Sequence, residues 1–253
     1  MNIVAFFAHP DDETLLAGGT FALLSRQGAS LTYLSATRGE GGELGDPPLC
    51  DRSEAGVVRA RELACAVEAL GGGELHFMDY IDPLVGPGDR LFPFTDDAEG
   101  LADLLRWWLI ARGADVLISH GSNGEYGHPA HRLCHRAARA ALEGMNGSRP
   151  LFYTVQAAFP GSPKPTLLNK DDPAHLVLDV SPVQAQKIQA ALCHRTQNDL
   201  FKRRTSEELG RPVTIPEVIA LRESLRRVWP PVDASLDDPL AALLRAAGCV
   251  LTE

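Results

Sequence analysis

Two short stretches of the 253-residue sequence hold an unusual density of side chains able to bind a metal or move a proton. The first is His9-Pro10-Asp11-Asp12-Glu13, and the second runs Asn123-Gly124-Glu125-Tyr126-Gly127-His128-Pro129-Ala130-His131. Imidazoles and carboxylates suit zinc, and a catalytic zinc keeps three protein ligands with one position open for water. His9, Asp12 and His131 would supply that number. Within the second stretch His128 and His131 flank a proline that fixes the backbone, so one ring could bind metal while the other faces a substrate. Two adjacent acids pointing different ways can divide the work, one holding the ion and one taking the proton of an attacking water. Standing alone, Asp11-Asp12 would read as a helix cap and a single histidine as a packed or surface residue. Two such motifs meeting at one place argue for a metal site. His135, one turn beyond His131, is expected to pack its helix, His120 to stand behind the ligands, and Cys134 to act as a small apolar residue.

The elements that must bring the two motifs together are written as short apolar runs separated by amphipathic helices. Ile3 to Ala8, Leu31 to Ala36, Leu75 to Met78, Val116 to Ser119 and Phe152 to Val155 read as strands buried on both faces. Between them lie helices over Thr14 to Gln27, Ser53 to Leu70, Asp97 to Arg112 and Pro129 to Glu143, each closed by a glycine, at positions 28, 71, 113 and 144. Gly18 and Gly19 inside the first helix point to close packing, not to a dinucleotide fingerprint. This alternation predicts a Rossmann-like, doubly wound α/β fold with a mainly parallel sheet and helices on both faces. In the strand order 3-2-1-4-5 the first and fourth strands are neighbours, and ligands bind in the crevice at their carboxyl ends. Both motifs follow those two strands.

Beyond residue 155 the pattern is weaker. Residues 159–173 carry four prolines and read as a surface loop, Leu176 to Asp179 as a strand, and Ser181-Pro182 as the start of a helix running towards Phe201. Asp237-Asp238-Pro239 opens a terminal helix ending near Gly248. The chain is read as a single domain over 1–253, with a charged, proline-bearing excursion at 203–253 whose stretch 203–231 could be a lid, an oligomer contact or a surface segment. A net charge of −9 argues against nucleic acid and anionic membrane as partners. No apolar run approaches the length of a bilayer span, and no basic segment precedes the first apolar run as a signal peptide would require. Five cysteines without a CxxC pair suggest free thiols and a cytoplasmic location.

Taken with these motifs, the sequence resembles the PIG-L/LmbE-like family of zinc-dependent N-acetylglucosaminyl deacetylases. The resemblance rests on Ala8-His9-Pro10-Asp11-Asp12-Glu13 and Gly127-His128-Pro129-x-His131. Ala36 to Gly42, Arg59-x-x-Glu62 with Ala69-Leu70-Gly71, and His194-Arg195-Thr196-Gln197 support it. The resemblance implies His9, Asp12 and His131 as zinc ligands, Asp11 as general base, and His128 as the group that stabilises the oxyanion and protonates the amine. It further implies that Tyr126 assists at the oxyanion and that Arg59 and His194 contact substrate. One departure is that the family commonly has aspartate between the two histidines of the second motif, where this chain has Ala130.

The activity expected is hydrolysis of an N-acetyl group from an N-acetylglucosamine-like sugar or glycoside, a small molecule, with Zn2+ as cofactor and Fe2+ as another ion the ligand set would suit. A two-histidine, one-carboxylate Fe(II) oxygenase uses a similar set. A metal-containing binding protein without turnover is the non-enzymatic rival, and Asp11 argues against it, because a binding site needs no proton acceptor. A homo-oligomer is compatible with the sequence.

Overall fold

The computed structural model describes residues 1–233 and 235–252. Its first part alternates β1 (Asn2–Phe7), α1 (Asp12–Arg26), β2 (Ser30–Thr37), α2 (Ala55–Ala69), β3 (Glu74–Tyr80), α3 (Ala98–Ala111), β4 (Val116–Ser119), α4 (Pro129–Glu143) and β5 (Leu151–Val155). These five strands pair in parallel in the order β3-β2-β1-β4-β5. Along β1, successive side chains point to opposite faces. Ile3, Ala5 and Phe7 pack with Leu16 and Phe21 of α1 and Leu63 and Val67 of α2. Val4 and Phe6 pack with Leu105 of α3 and Leu133 of α4. Helices cover both faces, as an all-parallel core requires.

The remaining elements are β6 (Ala157–Ala158), β7 (Asn169–Pro173), β8 (Leu176–Asp179), α5 (Gln184–Cys193), α6 (Asn198–Leu209), α7 (Ile215–Val218), β9 (Arg222–Trp229), α8 (Pro239–Ala246) and β10 (Val250–Thr252). Here the structure corrects several expectations. The stretch read as a loop contains β7, which pairs with β6 in a small separate sheet. The charged stretch 203–231 contributes β9, an interior strand that runs antiparallel between β5 and β8 and so extends the main sheet to β10-β8-β9-β5-β4-β1-β2-β3. Its charges hid it, yet the two that are buried, Glu223 and Arg227, are satisfied internally. Glu223 is buried and accepts hydrogen bonds from Gly19 N at 2.8 Å, Thr20 N at 2.7 Å, Thr20 Oγ1 at 2.6 Å and Lys187 Nζ at 2.6 Å. Ala17 is non-helical inside α1 (φ −150°), and Glu223 takes up the two amides just beyond it. Gly19 does pack closely, since a Cβ there would lie 2.4 Å from Val180 Cβ.

The helix expected to run from Ser181 to Phe201 is broken. A short 3-10 turn over Ser181–Val183 leads into α5, and the chain leaves helical geometry at His194 before α6 begins. Glu62 of α2 pulls the turn inward by accepting from Thr196 N at 2.8 Å and Thr196 Oγ1 at 2.7 Å. At the same point Cys193 is joined to Cys65 of α2 in a disulfide, so the expectation of free thiols fails for this pair, and with it the argument for a reducing compartment. The two cysteines lie 128 residues apart, and only the packing of α5 on α2 brings their Cα atoms to 5.7 Å. Cys50, Cys134 and Cys249 are free. Among the described residues, no helix is long and apolar enough to cross a membrane.

Candidate active site

The carboxyl ends of β1 and β4 carry the two motifs into one crevice. After β1 the chain turns at Asp11, which takes a left-handed conformation (φ 107°) that is strained for a side-chain-bearing residue. The Asp11 amide donates to Glu13 Oε2 at 3.0 Å, while its carbonyl accepts from Thr14 and Leu15 and starts α1. After β4 the loop 120–128 delivers His128 as the N-cap of α4 and His131 within its first turn, with Pro129 at the first helical position.

His9, Asp12 and His131 meet in the crevice. Asp12 lies between the two rings, with Oδ2 3.3 Å from His9 Nδ1 and Oδ1 3.3 Å from His131 Nε2. Among the described residues, two overlapping sets of donors could hold a metal: His9, His128 and His131, and Asp12, His120 and His131. His131 Nε2 is buried with no hydrogen-bond partner. A bare imidazole nitrogen beside a buried carboxylate is the chemistry of a ligand awaiting a cation, so the residues present fit a divalent ion. The electrostatics agree. Burial opposes charge on His9, but the Asp82 and Asp12 carboxylates outweigh it and push its pKa up to about 9. Burial likewise opposes ionisation of Asp12, and the His131 and His120 imidazoles outweigh it, holding the carboxyl well below its usual range. His120 also stands at the centre, but its Nε2 accepts the Ala8 amide at 3.1 Å, so that lone pair is already used. His135 packs against Phe152 and lies 3.0 Å from the His120 carbonyl through Nδ1.

Asp11 reaches the same place from another side. Burial pushes its pKa up to about 6, with the Arg59 guanidinium pulling the other way. Arg59 Nη2 donates to Asp11 Oδ2 at 3.0 Å and to the Pro10 carbonyl at 2.6 Å, and Nη1 donates to the Gly39 carbonyl at 2.7 Å. Gly39 and Gly42 are glycines for a steric reason, since a Cβ at either would lie about 2.2 Å or less from that guanidinium. His128 accepts the Ala130 amide at Nδ1 (3.2 Å), and burial together with neighbouring His9 and His131 lowers its pKa to about 2. Its ring stacks on His131 with centroids 4.5 Å apart, and Tyr126 stands edge-on to it at 5.7 Å.

A cavity of about 800 Å³ opens outward from these groups, lined by His9, Asp11, Asp12, Arg59, Tyr126 and His128 at its floor. The face of α6 that carries Leu200, Arg203, Arg204 and Glu207 forms one wall, and the loop after β3, with Leu84, Val85 and Phe92, another. His194 is not part of it. That ring is fully buried, with Nε2 3.0 Å from Glu13 Oε1 and 3.2 Å from Thr14 Oγ1, so it braces the first turn of α1 instead of touching a substrate. Gln197, three residues on, lines the cavity in its place. Sequence reasoning missed Asp82, whose Oδ1 lies 3.2 Å from His9 Nε2, and it named no role for Glu125. Position at the carboxyl end of β3 was the available signal for Asp82, and density of polar residues in the second motif for Glu125.

Fold and site together define an open, doubly wound α/β protein with a buried cluster of histidines and an aspartate, able to hold a metal ion, at its topological switch point. The chain belongs to the PIG-L family, described as GlcNAc-PI de-N-acetylase, whose family model matches residues 4–142. It is 32% identical to a 1D-myo-inositol 2-acetamido-2-deoxy-alpha-D-glucopyranoside deacetylase of Saccharomonospora viridis, over 85% of this chain and 92% of that protein. Among solved structures, the N,N'-diacetylchitobiose deacetylase of Pyrococcus horikoshii shares the fold at a TM-score of 0.61 and 18% identity, over 90% of this chain and 83% of the other. A 4-carboxy-2-hydroxymuconate hydratase of Pseudomonas putida shares it at 0.59 and 21%, over 93% and 99%. One architecture therefore carries both amide hydrolysis and hydration, and the site must decide between them.

Proposed function

We propose that the protein is a zinc-dependent deacetylase that removes the N-acetyl group from an N-acetylglucosaminyl glycoside. The observation that carries this reading is that Asp12 lies between His9 and His131 beside a cavity that Asp11, a second carboxylate, also lines. A divalent ion held by those three residues would supply Lewis-acid activation of the acetamide and of the attacking water. Asp11 takes the proton of that water, and its raised pKa suits a base that must later give the proton back. Arg59 holds the carboxylate in place and, through Gly39, ties it to the loop after β2. With Nδ1 occupied by the Ala130 amide, His128 presents Nε2–H to the cavity and donates a hydrogen bond to the developing oxyanion as a neutral imidazole. This assigns delivery of a proton to the leaving amine to Asp11 and not to His128, a change from what the resemblance implies. Tyr126, beside His128 at the cavity floor, is the second donor on that side. The cavity exceeds the size of one sugar, which fits a glycoside whose aglycone lies along α6. The name of the Saccharomonospora relative supports an inositol glycoside as the first substrate to try.

The test offers zinc-loaded protein the inositol glycoside and diacetylchitobiose and measures released primary amine and acetate without oxygen, with metal-stripped protein as control. Saturable, metal-dependent release is expected on at least one of the two. Turnover that requires oxygen, or no acetate from either at millimolar concentration, would overturn the reading.

A further inference from the structure

Glu125 is completely buried, and four donors converge on its carboxylate. Gly121 N and Asn169 Nδ2 donate to Oε1, each at 3.1 Å. His131 Nδ1 lies 2.6 Å and His120 Nδ1 3.0 Å from Oε2. An ionised carboxylate only accepts, so both imidazoles carry their proton on Nδ1. The consequence differs at the two rings. In the neutral His131 ring it leaves Nε2 bare, next to Asp12. In His120 it leaves Nε2 free to accept the Ala8 amide, at the residue before His9. We infer that Glu125 is the positioning residue that sets the tautomer of both rings at once, so that one carboxylate prepares a metal ligand in the second motif and anchors the chain leading into the first. The inference rests on the metal-site reading above, and it goes beyond it in assigning a role to a residue that touches neither metal nor substrate.

The surroundings are built to keep Glu125 where it is. Its backbone is left-handed (φ 56°), and its amide donates to Asn169 Oδ1 at 3.0 Å. Asn169 in turn bonds the carbonyl of Val155 at the end of β5 through Nδ2, at 2.9 Å. Gly121 allows this packing, since a Cβ there would lie 2.1 Å from the Asn169 carboxamide. The second motif carries Ala130 between its histidines and so has no carboxylate there, whereas Glu125 sits five residues earlier, in the loop that leads into α4, and acts on His131, not on His128.

The arrangement makes glutamine a sharp probe. In one amide orientation of Glu125→Gln the NH2 faces the two imidazole N–H groups, and in the other it faces Gly121 N and Asn169 Nδ2. Donor meets donor either way. The cheapest relief is for His131 to move its proton to Nε2, which removes the lone pair needed by the ion. Carboxylate partners behind metal-bound histidines typically affect affinity by about 10–100-fold. Zn2+ affinity should therefore fall by about that factor in Glu125→Gln, measured by competition with a chromophoric chelator on protein that retains a cooperative melting transition. A merely structural role would lower the melting temperature and leave the affinity of the folded protein alone. In zinc-loaded wild-type protein, proton NMR should show two slowly exchanging, hydrogen-bonded imidazole N–H signals, from His120 and His131, whether or not the variant folds. A folded Glu125→Gln protein that binds Zn2+ within twofold of wild type, or wild-type protein lacking those signals, would overturn the inference. Neither readout uses a deacetylase substrate, so absence of acetate release would sink the proposed activity without touching this assignment.

Discussion

Replacing Asp11 by asparagine should lower kcat by about 10²-fold or more, the scale of a lost general base, while bound zinc and the folded state stay nearly unchanged. Asparagine keeps the shape, tolerates the left-handed backbone that position 11 adopts, and can still accept from Arg59 through its amide oxygen. It has no useful basicity. The pH profile gives an independent check with a defined sign. A base must be ionised to act, so wild-type activity is present above the Asp11 pKa and is lost as pH falls through it. That acid limb should disappear from the residual activity of Asp11→Asn. Equal metal content with unchanged kcat would remove Asp11 from the mechanism. Glu13 could not easily replace it, because that side chain is buried and already holds the Asp11 amide and His194.

His131→Ala should abolish metal retention and activity together. The variant removes one of the three proposed ligands, so its zinc affinity is expected to fall by more than the ~10–100-fold typical of losing an outer partner. It also leaves one fewer donor on the buried Glu125 carboxylate, and some loss of thermal stability should accompany the loss of metal. Elemental analysis after gel filtration, read beside amine release on the same sample, decides the matter. Full metal occupancy in this variant would show that the ion does not sit on His131. The donor set of His9 with His128 would then be the next to test.

The parts of the molecule legible in the sequence are those where burial dictates a simple pattern. β1, β2, β4 and β5 are short apolar runs because both faces are covered, whereas β3, at the edge of the sheet, buries only Met78; α4 begins at Pro129 and ends at Glu143 as its proline and glycine signals indicate. The convergence of residues 9–13 with 123–131 followed from strand order alone. β9 was illegible because Glu223 and Arg227 inside it are buried with partners from other elements, and no local rule anticipates Lys187 of α5 or Asp238 before α8. His194 misled in a different way. It lies in a motif near the site, but the bond from Thr196 to Glu62 and the disulfide at Cys193 turn its ring towards Glu13. Motif membership places a residue near a centre and says nothing about the direction in which it points.

The insertion of β9 between β5 and β8 has a consequence for biosynthesis. The ribosome releases the first motif early, whereas Glu223, which holds the Gly19 and Thr20 amides of the helix that begins at Asp12, emerges about 200 residues after those amides. At roughly 5–20 residues per second the first motif waits roughly 10–40 s for the strand that pins it. From the completion of β5 until β9 emerges, β5 presents an unpaired edge, and the helix carrying Asp12 lacks its anchor. A nascent chain stalled just before residue 222 thus displays the proposed ligands without the frame that orients them. Capture of an ion by the proposed ligands on the ribosome would come late, governed by the arrival of a strand that supplies none of them.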